Sequence, residues 1–244
     1  MTEKDITETI ESDWDRFYRD FPEIYDEFGR VPKTPTAVQV VQQHFPMQGK
    51  TVLDVGSGTG LSTFELAQYT AQVTGVEPED AMREVAEREA ERLGIGNVSF
   101  IHGWAEKLPL PDKSVDMVTA ITLASLYTEE NILGFIRESE RVVKPGGVVL
   151  TVDLASRWYG GELAEVILEK PRAEMEDELR DLLFPRFGYS LIEFYADQDY
   201  GTVEKAVRTY GFIFGKNAIE YIRQHNKTII RWKINMHYKV IERR

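Results

Sequence analysis

The ten residues TVLDVGSGTG, which begin at Thr51, constrain the fold of this chain more than any other stretch. The first half is apolar or β-branched apart from Asp54, a composition typical of a buried parallel strand. Gly56, Gly58 and Gly60 follow at alternate positions, where they let the backbone turn tightly and approach a ligand closely. The next residues are predicted to begin a helix, so a nucleotide-like ligand can lie over its N-terminus.

The glycine spacing separates two classes of nucleotide cofactor. A dinucleotide fingerprint places its third small residue one position later, where this chain has Leu61. In addition, a carboxylate at position 54 suits a cationic amino group better than a pyrophosphate, because like charges repel. A nicotinamide dehydrogenase is therefore disfavoured but stays open, as does a tight structural turn that binds nothing.

An acid follows the second predicted strand, at the position where a ribose would be bound. The strand is expected at residues 72–76, and Glu77 comes 17 residues after Gly60, about one helix plus one strand. A carboxylate there can accept hydrogen bonds from both ribose hydroxyls. The alternative is a solvated loop carboxylate, since two further acids, Glu79 and Asp80, follow at once.

The next elements also alternate in the manner of an open α/β sheet. An amphipathic helix over residues 81–93 is closed by glycines, and strands are expected over residues 98–102, 116–122 and 148–152, with a helix over residues 132–142 between the last two. The carboxyl ends of such strands form the edge at which open α/β sheets bind their ligands.

Three segments together resemble one enzyme family. Asp-x-Gly-x-Gly-x-Gly from Asp54, Gly-Trp-Ala-Glu-Lys-Leu-Pro from Gly103 and Arg-Val-Val-Lys-Pro-Gly-Gly from Arg141 resemble class I S-adenosylmethionine (SAM)-dependent methyltransferases, in particular the small-molecule "type 11" group. The resemblance covers about residues 48–155. It implies an α/β fold: a Rossmann-like seven-stranded sheet with helices on both faces and the last strand antiparallel.

The resemblance also implies roles for individual residues. Asp54 is expected to anchor the methionyl end of SAM directly or through water, and Glu77 to bind the ribose. Where relatives have an acid that contacts the adenine amino group, this chain has Trp104. The adenine is then expected to stack on Trp104 or to be held by the Ala105 backbone, unless Trp104 only packs at the strand end. The residues expected to bind the cofactor are Tyr25, Asp54, Gly56, Ser57, Gly58, Gly60, Glu77, Pro78, Met82, Trp104, Ala105, Ile121 and Thr122.

The additions to the common fold are expected to select the substrate. Residues 1–45 are predicted to form a helical lid or cap, and residues 46–244 the SAM-binding domain with a substrate-determining insertion around residues 156–226. Residues 159–183 are expected to be mostly helical, and nine aromatic residues lie between Phe184 and Phe214. The strand over residues 228–241 alternates apolar and polar side chains, so its polar face is expected to be partly exposed.

Composition limits the classes of partner that the chain is expected to bind and the cell compartment in which it is expected. The net charge of −12 disfavours nucleic acid, although residues 203–244 carry ten basic and three acidic side chains. The absence of cysteine excludes disulfides and thiolate metal sites, and we predict no metal. No apolar run is long enough to span a membrane, and no signal sequence is evident, so a cytoplasmic monomer or homodimer is expected.

We therefore predict a methyltransferase that moves a methyl group from SAM to a small, apolar or aromatic acceptor by in-line displacement, leaving S-adenosylhomocysteine (SAH). No motif singles out a general base, and the weak candidates are His102, Tyr127, Asp153 and Tyr159. Besides the nicotinamide dehydrogenase, two further alternatives stay open: a non-catalytic SAM-binding or regulatory relative, and an RNA methyltransferase that uses the basic C-terminal part.

Overall fold

The computed structural model describes residues 21–123, 126 and 128–242, without the side chains of residues 22, 23, 25 and 26. The first 20 residues of the expected lid, the side chain of Tyr25 and the whole of Tyr127 lie outside this description. The predictions that concern them remain predictions.

Eight strands and ten α-helices are assigned within the described residues. The strands are β1 (Lys33–Thr34), β2 (Thr51–Val55), β3 (Gln72–Val76), β4 (Val98–Ile101), β5 (Val115–Ile121), β6 (Val143–Leu154), β7 (Ser190–Asp199) and β8 (Ile229–Val240). The helices are α1 (Pro22–Gly29), α2 (Ala37–His44), α3 (Leu61–Ala67), α4 (Asp80–Leu93), α5 (Glu129–Val142), α6 (Ala164–Leu168), α7 (Leu179–Leu183), α8 (Val203–Ala206), α9 (Phe212–Phe214) and α10 (Lys216–His225).

The strands form one sheet in the order β1-β7-β8-β6-β5-β2-β3-β4. The five strands from β6 to β4 are parallel, with Asp54 of β2 level with Gly75 of β3 and Thr119 of β5. Their carboxyl ends therefore meet at one edge of the sheet, below called the carboxyl edge. The predicted α/β class is confirmed, and these five strands begin and end within a few residues of their expected positions, except that β6 begins five residues earlier.

The prediction of seven strands is wrong by one. Strand β1 is only two residues long and pairs antiparallel with β7, Lys33 opposite Gln198 and Thr34 opposite Asp197. Two residues are too few to give a periodic pattern, so the sequence holds no signal for this strand. The predicted antiparallel final strand is confirmed. Gly147 of β6 is opposite Ile241, and Ala155, just after β6, is opposite Lys233, so the residue numbers along β8 decrease as those along β6 increase.

The described residues group into two compact units. The first comprises Leu154–Glu176, Phe194–Lys233 and the described residues before Ala37; the second comprises Ala37–Asp153, Asp177–Glu193 and the described residues from Ile234 onward. In the first unit, buried Gln198 accepts hydrogen bonds from Trp232 Nε1 and Tyr200 Oη at 3.0 Å each and donates to the Val31 carbonyl. In the second unit, one apolar core joins β2, β5 and β6 to α5.

Residues 159–183 are mostly helical, as expected, but the segment is divided into short helices. Helix α6 has five residues and is followed by Glu169, whose φ is +49°. Proline then stands at position 171 and begins a single 3₁₀ turn over Arg172–Glu174. Proline cannot continue the preceding helix, which limits the length that helical periodicity alone suggested.

The polar face of β8 also differs from the expectation. Asn235 and His237 were expected to share a partly exposed face, but they are 5% and 2% exposed. Residues of the second unit cover them: Asn235 bonds to Asp181, and the His237 ring stacks on Phe184 with ring centres 5.2 Å apart. The alternation was correct, but the covering residues are remote in the sequence and left no local signal.

At the amino ends of the parallel strands, Asp116 joins three segments of the second unit. One carboxylate oxygen accepts hydrogen bonds from the backbone N–H and the hydroxyl of Thr51, each at 2.8 Å. The other accepts a hydrogen bond from Lys144 Nζ at 2.8 Å. These contacts fix β2, β5 and β6 at the edge opposite the carboxyl edge. Among the described residues, none of the helices has the length and apolar character needed to cross a membrane.

Candidate cofactor site

The glycine turn after β2 is held against the end of β3. The N–H groups of Gly56 and Ser57 both donate to the carbonyl of Val76, at 2.8 and 3.1 Å. Gly56, Gly58 and Gly60 have φ values of +74°, +53° and +91°, a region that favours glycine. At Gly60 a Cβ would come within 2.6 Å of the Phe64 ring, whereas at Gly58 it would meet no atom within 4 Å.

Glu77, the acid that follows β3, is tied to this turn. Its Oε2 accepts a hydrogen bond from the N–H of Gly58 at 3.0 Å, and its Oε1 accepts one from the N–H of Glu79 at 3.1 Å. Arg83 donates to the Glu77 carbonyl at 2.7 Å and pairs with Asp80. A carboxylate oxygen can accept two hydrogen bonds, so the carboxylate of Glu77 keeps capacity for two donors.

Asp54 lies beneath the turn and is 1% exposed. The hydroxyl of Thr63 donates to one of its oxygens at 2.7 Å, and the hydroxyl of Thr119 donates to the other at 3.0 Å. Burial raises the pKa of Asp54 to about 6, although the two hydroxyls partly offset that effect. Asp54 therefore joins β2, β5 and α3 at the floor of the turn.

The segment after β4 presents an exposed aromatic ring on a firmly held loop. Trp104 is 47% exposed, and its ring meets His102 edge to face at 4.5 Å, whereas Ala105 is buried in the core. Arg141 of α5 fixes the remainder of the loop, because its guanidinium donates to the carbonyls of Leu108 and Leu110 at 3.0 and 2.8 Å. Trp104 is thus free of core packing while its backbone is anchored.

The end of β5 completes this part of the carboxyl edge. The N–H of Thr122 donates to the Val152 carbonyl at 2.8 Å, and its hydroxyl donates to the Ile121 carbonyl at 2.7 Å. Thr122 has a φ of +53°, which is strained for a β-branched residue. The side chain of Leu123 lies directly against Gly56, so any Cβ at Gly56 would displace it.

Comparison with known proteins identifies the family to which the chain belongs. A model described as "Methyltransferase domain" matches residues 52–147. The phosphatidylethanolamine N-methyltransferase of Cereibacter sphaeroides is 34% identical over 158 residues, which are 64% of this chain and 74% of that protein. The chain belongs to the class I SAM-dependent methyltransferases. This confirms the family that the three sequence segments resemble.

Other relatives match a shorter part of this methyltransferase. The uncharacterised methyltransferase YcgJ of Bacillus subtilis is 37% identical over 102 residues (42% of this chain, 40% of that protein). The ubiquinone/menaquinone biosynthesis C-methyltransferase UbiE of Psychromonas ingrahamii is 35% identical over 117 residues (46% and 45%). The chain thus matches less than half the length of these two relatives. The crystal structure of YcgJ has a TM-score of 0.58 at 20% identity, covers 90% of this chain and 100% of that one, and shows the same fold.

The described residues of this methyltransferase fit SAM. Glu77 can still accept two hydrogen bonds beside the turn, and the space next to Gly58 is open. Ser57 is 7% exposed, and its hydroxyl makes no hydrogen bond to any described residue. Pro78, directly after Glu77, and Met82, near the start of α4, are half-buried. Within the described part of the chain, no group of acidic, histidine or cysteine side chains has the arrangement of a metal site.

The three described candidate bases differ in their surroundings. His102 is exposed and contacts Trp104, whereas Asp153 is ion-paired with Arg180, whose Nη1 lies 2.8 Å from Asp153 Oδ2. Tyr159 belongs to the first unit, where its ring packs on Phe214 at 5.5 Å. None of these three is singled out as a proton acceptor by its contacts.

The aromatic residues between 184 and 214 are mainly core residues. Six of the nine are buried: Phe184, Tyr189, Tyr200, Tyr210, Phe212 and Phe214. The number of aromatic rings in this segment therefore does not by itself identify an aromatic acceptor.

Sequence reasoning missed three side chains that shape the site. Thr63 and Thr119 bind Asp54, and Arg83 holds the backbone of Glu77. Thr119 left a usable signal, because a polar residue in the apolar strand VDMVTAI needs a buried partner. Thr63 and Arg83 left none, since a threonine or arginine on a helix is usually explained by solvent exposure.

Proposed function

We propose that this methyltransferase transfers the methyl group of SAM to a small, uncharged acceptor of apolar or aromatic character. The observation that carries the proposal is the contact between Glu77 and Gly58, because it sets a carboxylate with free acceptor capacity beside an open glycine turn at the carboxyl edge. When bound, SAM supplies a methyl group on a positively charged sulfur, which leaves as neutral SAH when the acceptor's lone pair forms the new bond.

The residues of the chain then act mainly by binding and orientation. Glu77 binds the two ribose hydroxyls, and Gly58 leaves room for the ligand beside the backbone. Trp104 provides a face on which the adenine stacks. Asp54 keeps the turn in place through Thr63 and Thr119, and its charge favours the methionyl ammonium group across the turn.

Two considerations support the choice of acceptor class. Glu79 and Asp80 are exposed next to Glu77, and the net charge of the chain is −12, so a phosphate-rich nucleic acid meets repulsion at this site. The relatives UbiE and phosphatidylethanolamine N-methyltransferase are named for quinone biosynthesis and for a phospholipid. Both names point to acceptors with a large apolar part.

Calorimetric titration with SAM, SAH and NADH tests the cofactor assignment. We expect micromolar binding of SAM and SAH and no heat with NADH. Transfer of labelled methyl from SAM to phenols, hydroquinones or amines of low charge then tests the acceptor class. Binding of NADH alone contradicts the cofactor assignment, and binding of SAM without turnover on any acceptor supports a regulatory relative instead.

A further inference from the structure

A second group of polar side chains lies at the carboxyl edge, in the second unit, beside β6. It comprises Asp153, Arg180, Asp181, Asn235 and His237, below called the polar cluster. Arg180, Asn235 and His237 are only 5%, 5% and 2% exposed. The side chains of Asp153 and Asp181 keep 18% and 15% of their surface open to solvent, so the cluster is accessible through its two carboxylates.

The strand register places this cluster next to the loop after β5. Gly147 is opposite Ile241, so six residues along each antiparallel strand bring Asp153 opposite Asn235. Val152, the neighbour of Asp153, pairs with Ile121 of β5 and accepts the N–H of Thr122. The cluster is therefore level with the end of β5, where the site described above also ends.

The two uncharged side chains of the cluster each have one buried atom without a hydrogen bond to a described residue. Asn235 Nδ2 donates to Asp181 Oδ2 at 2.8 Å, and because a carboxylate only accepts, Oδ1 of Asn235 must be turned away from it. That Oδ1 and the Nε2 of His237 have no hydrogen-bond partner among the described residues, although His237 Nε2 lies 3.4 Å from Asp181 Oδ1. A buried polar atom without a partner is costly, so these atoms are suited to a partner that the described residues do not supply, such as a bound ligand.

The charges of the cluster define what that partner can be. Arg180 is 2.8 Å from Asp153 and 3.8 Å from Glu178, so it is already balanced by acids. Burial lowers the pKa of His237 more than Asp181 raises it, which keeps the imidazole neutral at pH 7. With the carboxylates in excess and a carbonyl oxygen turned inward, the cluster attracts a hydrogen-bond donor and repels an anion.

We infer that the polar cluster binds the polar end of the methyl acceptor, and that this end is a hydroxyl or amine rather than a carboxylate or phosphate. The inference rests on the proposed function and deepens it. Asn235 Oδ1 accepts the donor hydrogen, and Asp153 and Asp181 provide the surrounding negative potential. His237, whose Nε2 lies 3.4 Å from Asp181 Oδ1, lines the same cluster. Apolar residues at the carboxyl edge, such as Leu123, are then left for the rest of the acceptor.

Four naphthalenes that differ in one substituent test the inference: 1-naphthol, 1-naphthylamine, 1-methylnaphthalene and 1-naphthoate. Their affinities are measured by calorimetry with and without saturating SAH, and the imidazole signals of the four histidines are followed by NMR. The variant His237→Gln assigns the signal of His237. We expect 1-naphthol and 1-naphthylamine to bind about fivefold tighter than 1-methylnaphthalene, and 1-naphthoate to bind weakest. Only the two donors should shift the His237 signal.

The variant Asn235→Leu removes the proposed acceptor atom from the protein, just as 1-methylnaphthalene removes the donor from the ligand. We expect it to lose the preference for 1-naphthol over 1-methylnaphthalene while its affinity for SAH stays unchanged. Three results would each overturn the inference: equal affinities for the four compounds, tighter binding of 1-naphthoate, or a His237 signal that neither donor shifts. All three are observed on the wild type, so they decide the inference even if Asn235→Leu does not fold. Failure of SAH to bind overturns the proposed function instead, because the naphthalene series without SAH is independent of it.

Discussion

The Oε2 atom of Glu77 lies 3.0 Å from the backbone nitrogen of Gly58, and this hydrogen bond joins the ends of β2 and β3. The same carboxylate is the proposed ribose ligand. It therefore has a structural contact on one side and capacity for a ligand on the other.

Replacing Glu77 tests the ribose assignment. Hydrogen bonds to a charged group contribute roughly 1.5–3 kcal/mol each, so Glu77→Ala is expected to weaken SAH binding by at least about tenfold. Glu79→Gln is the matched control, because Glu79 is also acidic and adjacent but exposed. Calorimetry with SAH measures both, and an unchanged affinity in Glu77→Ala refutes the assignment.

Alanine variants of two glycines distinguish the effect of backbone strain on stability from the effect of ligand contact on affinity. Gly58 and Gly94 have φ values of +53° and +67°, and an added Cβ meets no atom within 4 Å at either position. Each alanine variant should lose about 1 kcal/mol of stability, or roughly 2–4 °C in Tm. Only Gly58→Ala should also lose SAH affinity, because its Cβ enters the space proposed for the ligand. Equal SAH affinities in the two variants would contradict this.

The buried Asp54 predicts a pH dependence of stability. Its pKa is about 6 in the fold against an ordinary value of 3.8, so the folded state holds this proton more tightly than the unfolded chain does. The free energy of unfolding should therefore fall by up to about 3 kcal/mol as pH rises from 4 to 6, and this loss is complete above pH 6. Carboxylates such as Glu138, whose pKa is lowered by a hydrogen bond from Arg141, contribute with the opposite sign.

Denaturant unfolding of the wild type and Asp54→Asn across this pH range isolates the effect as a difference. Thr63→Val removes a hydroxyl that lowers the pKa of Asp54, so the fall should move to higher pH in that variant. If wild type and Asp54→Asn give parallel pH profiles, Asp54 does not titrate in this way.

Trp104 should matter for binding more than for stability. Because its side chain is 47% exposed, Trp104→Ala is expected to change Tm little, while loss of a stacking face should weaken SAH binding roughly three- to tenfold. Leu93→Ala is the control, since Leu93 is also 47% exposed and ends a helix of the same unit. SAH should also change the tryptophan fluorescence of the wild type but not that of Trp104→Ala.

The sequence was sufficient for the central sheet because buried parallel strands are continuous apolar runs bounded by glycine and charged residues. It was insufficient for β1, which has only two residues, and for the burial of Asn235 and His237 by residues more than 50 positions away. In the site, the glycine turn and Glu77 follow from local spacing. The pattern of β5 shows that Thr119 needs a buried partner, but the identity of that partner, Asp54, depends on tertiary structure, as does the Arg180 contact to Asp153.

Asp116 and Glu77 stand at opposite edges of the same sheet and use their carboxylates differently. Asp116 bonds to Thr51 twice and to Lys144, whereas Glu77 receives one backbone bond on each oxygen. Substitutions intended to raise the thermal stability of the enzyme should therefore be concentrated around Thr51, Asp116 and Lys144. Substitutions there can stabilise the fold without changing the turnover rate. At the carboxyl edge, substitutions that reduce flexibility would raise thermal stability but slow the binding and release of ligands.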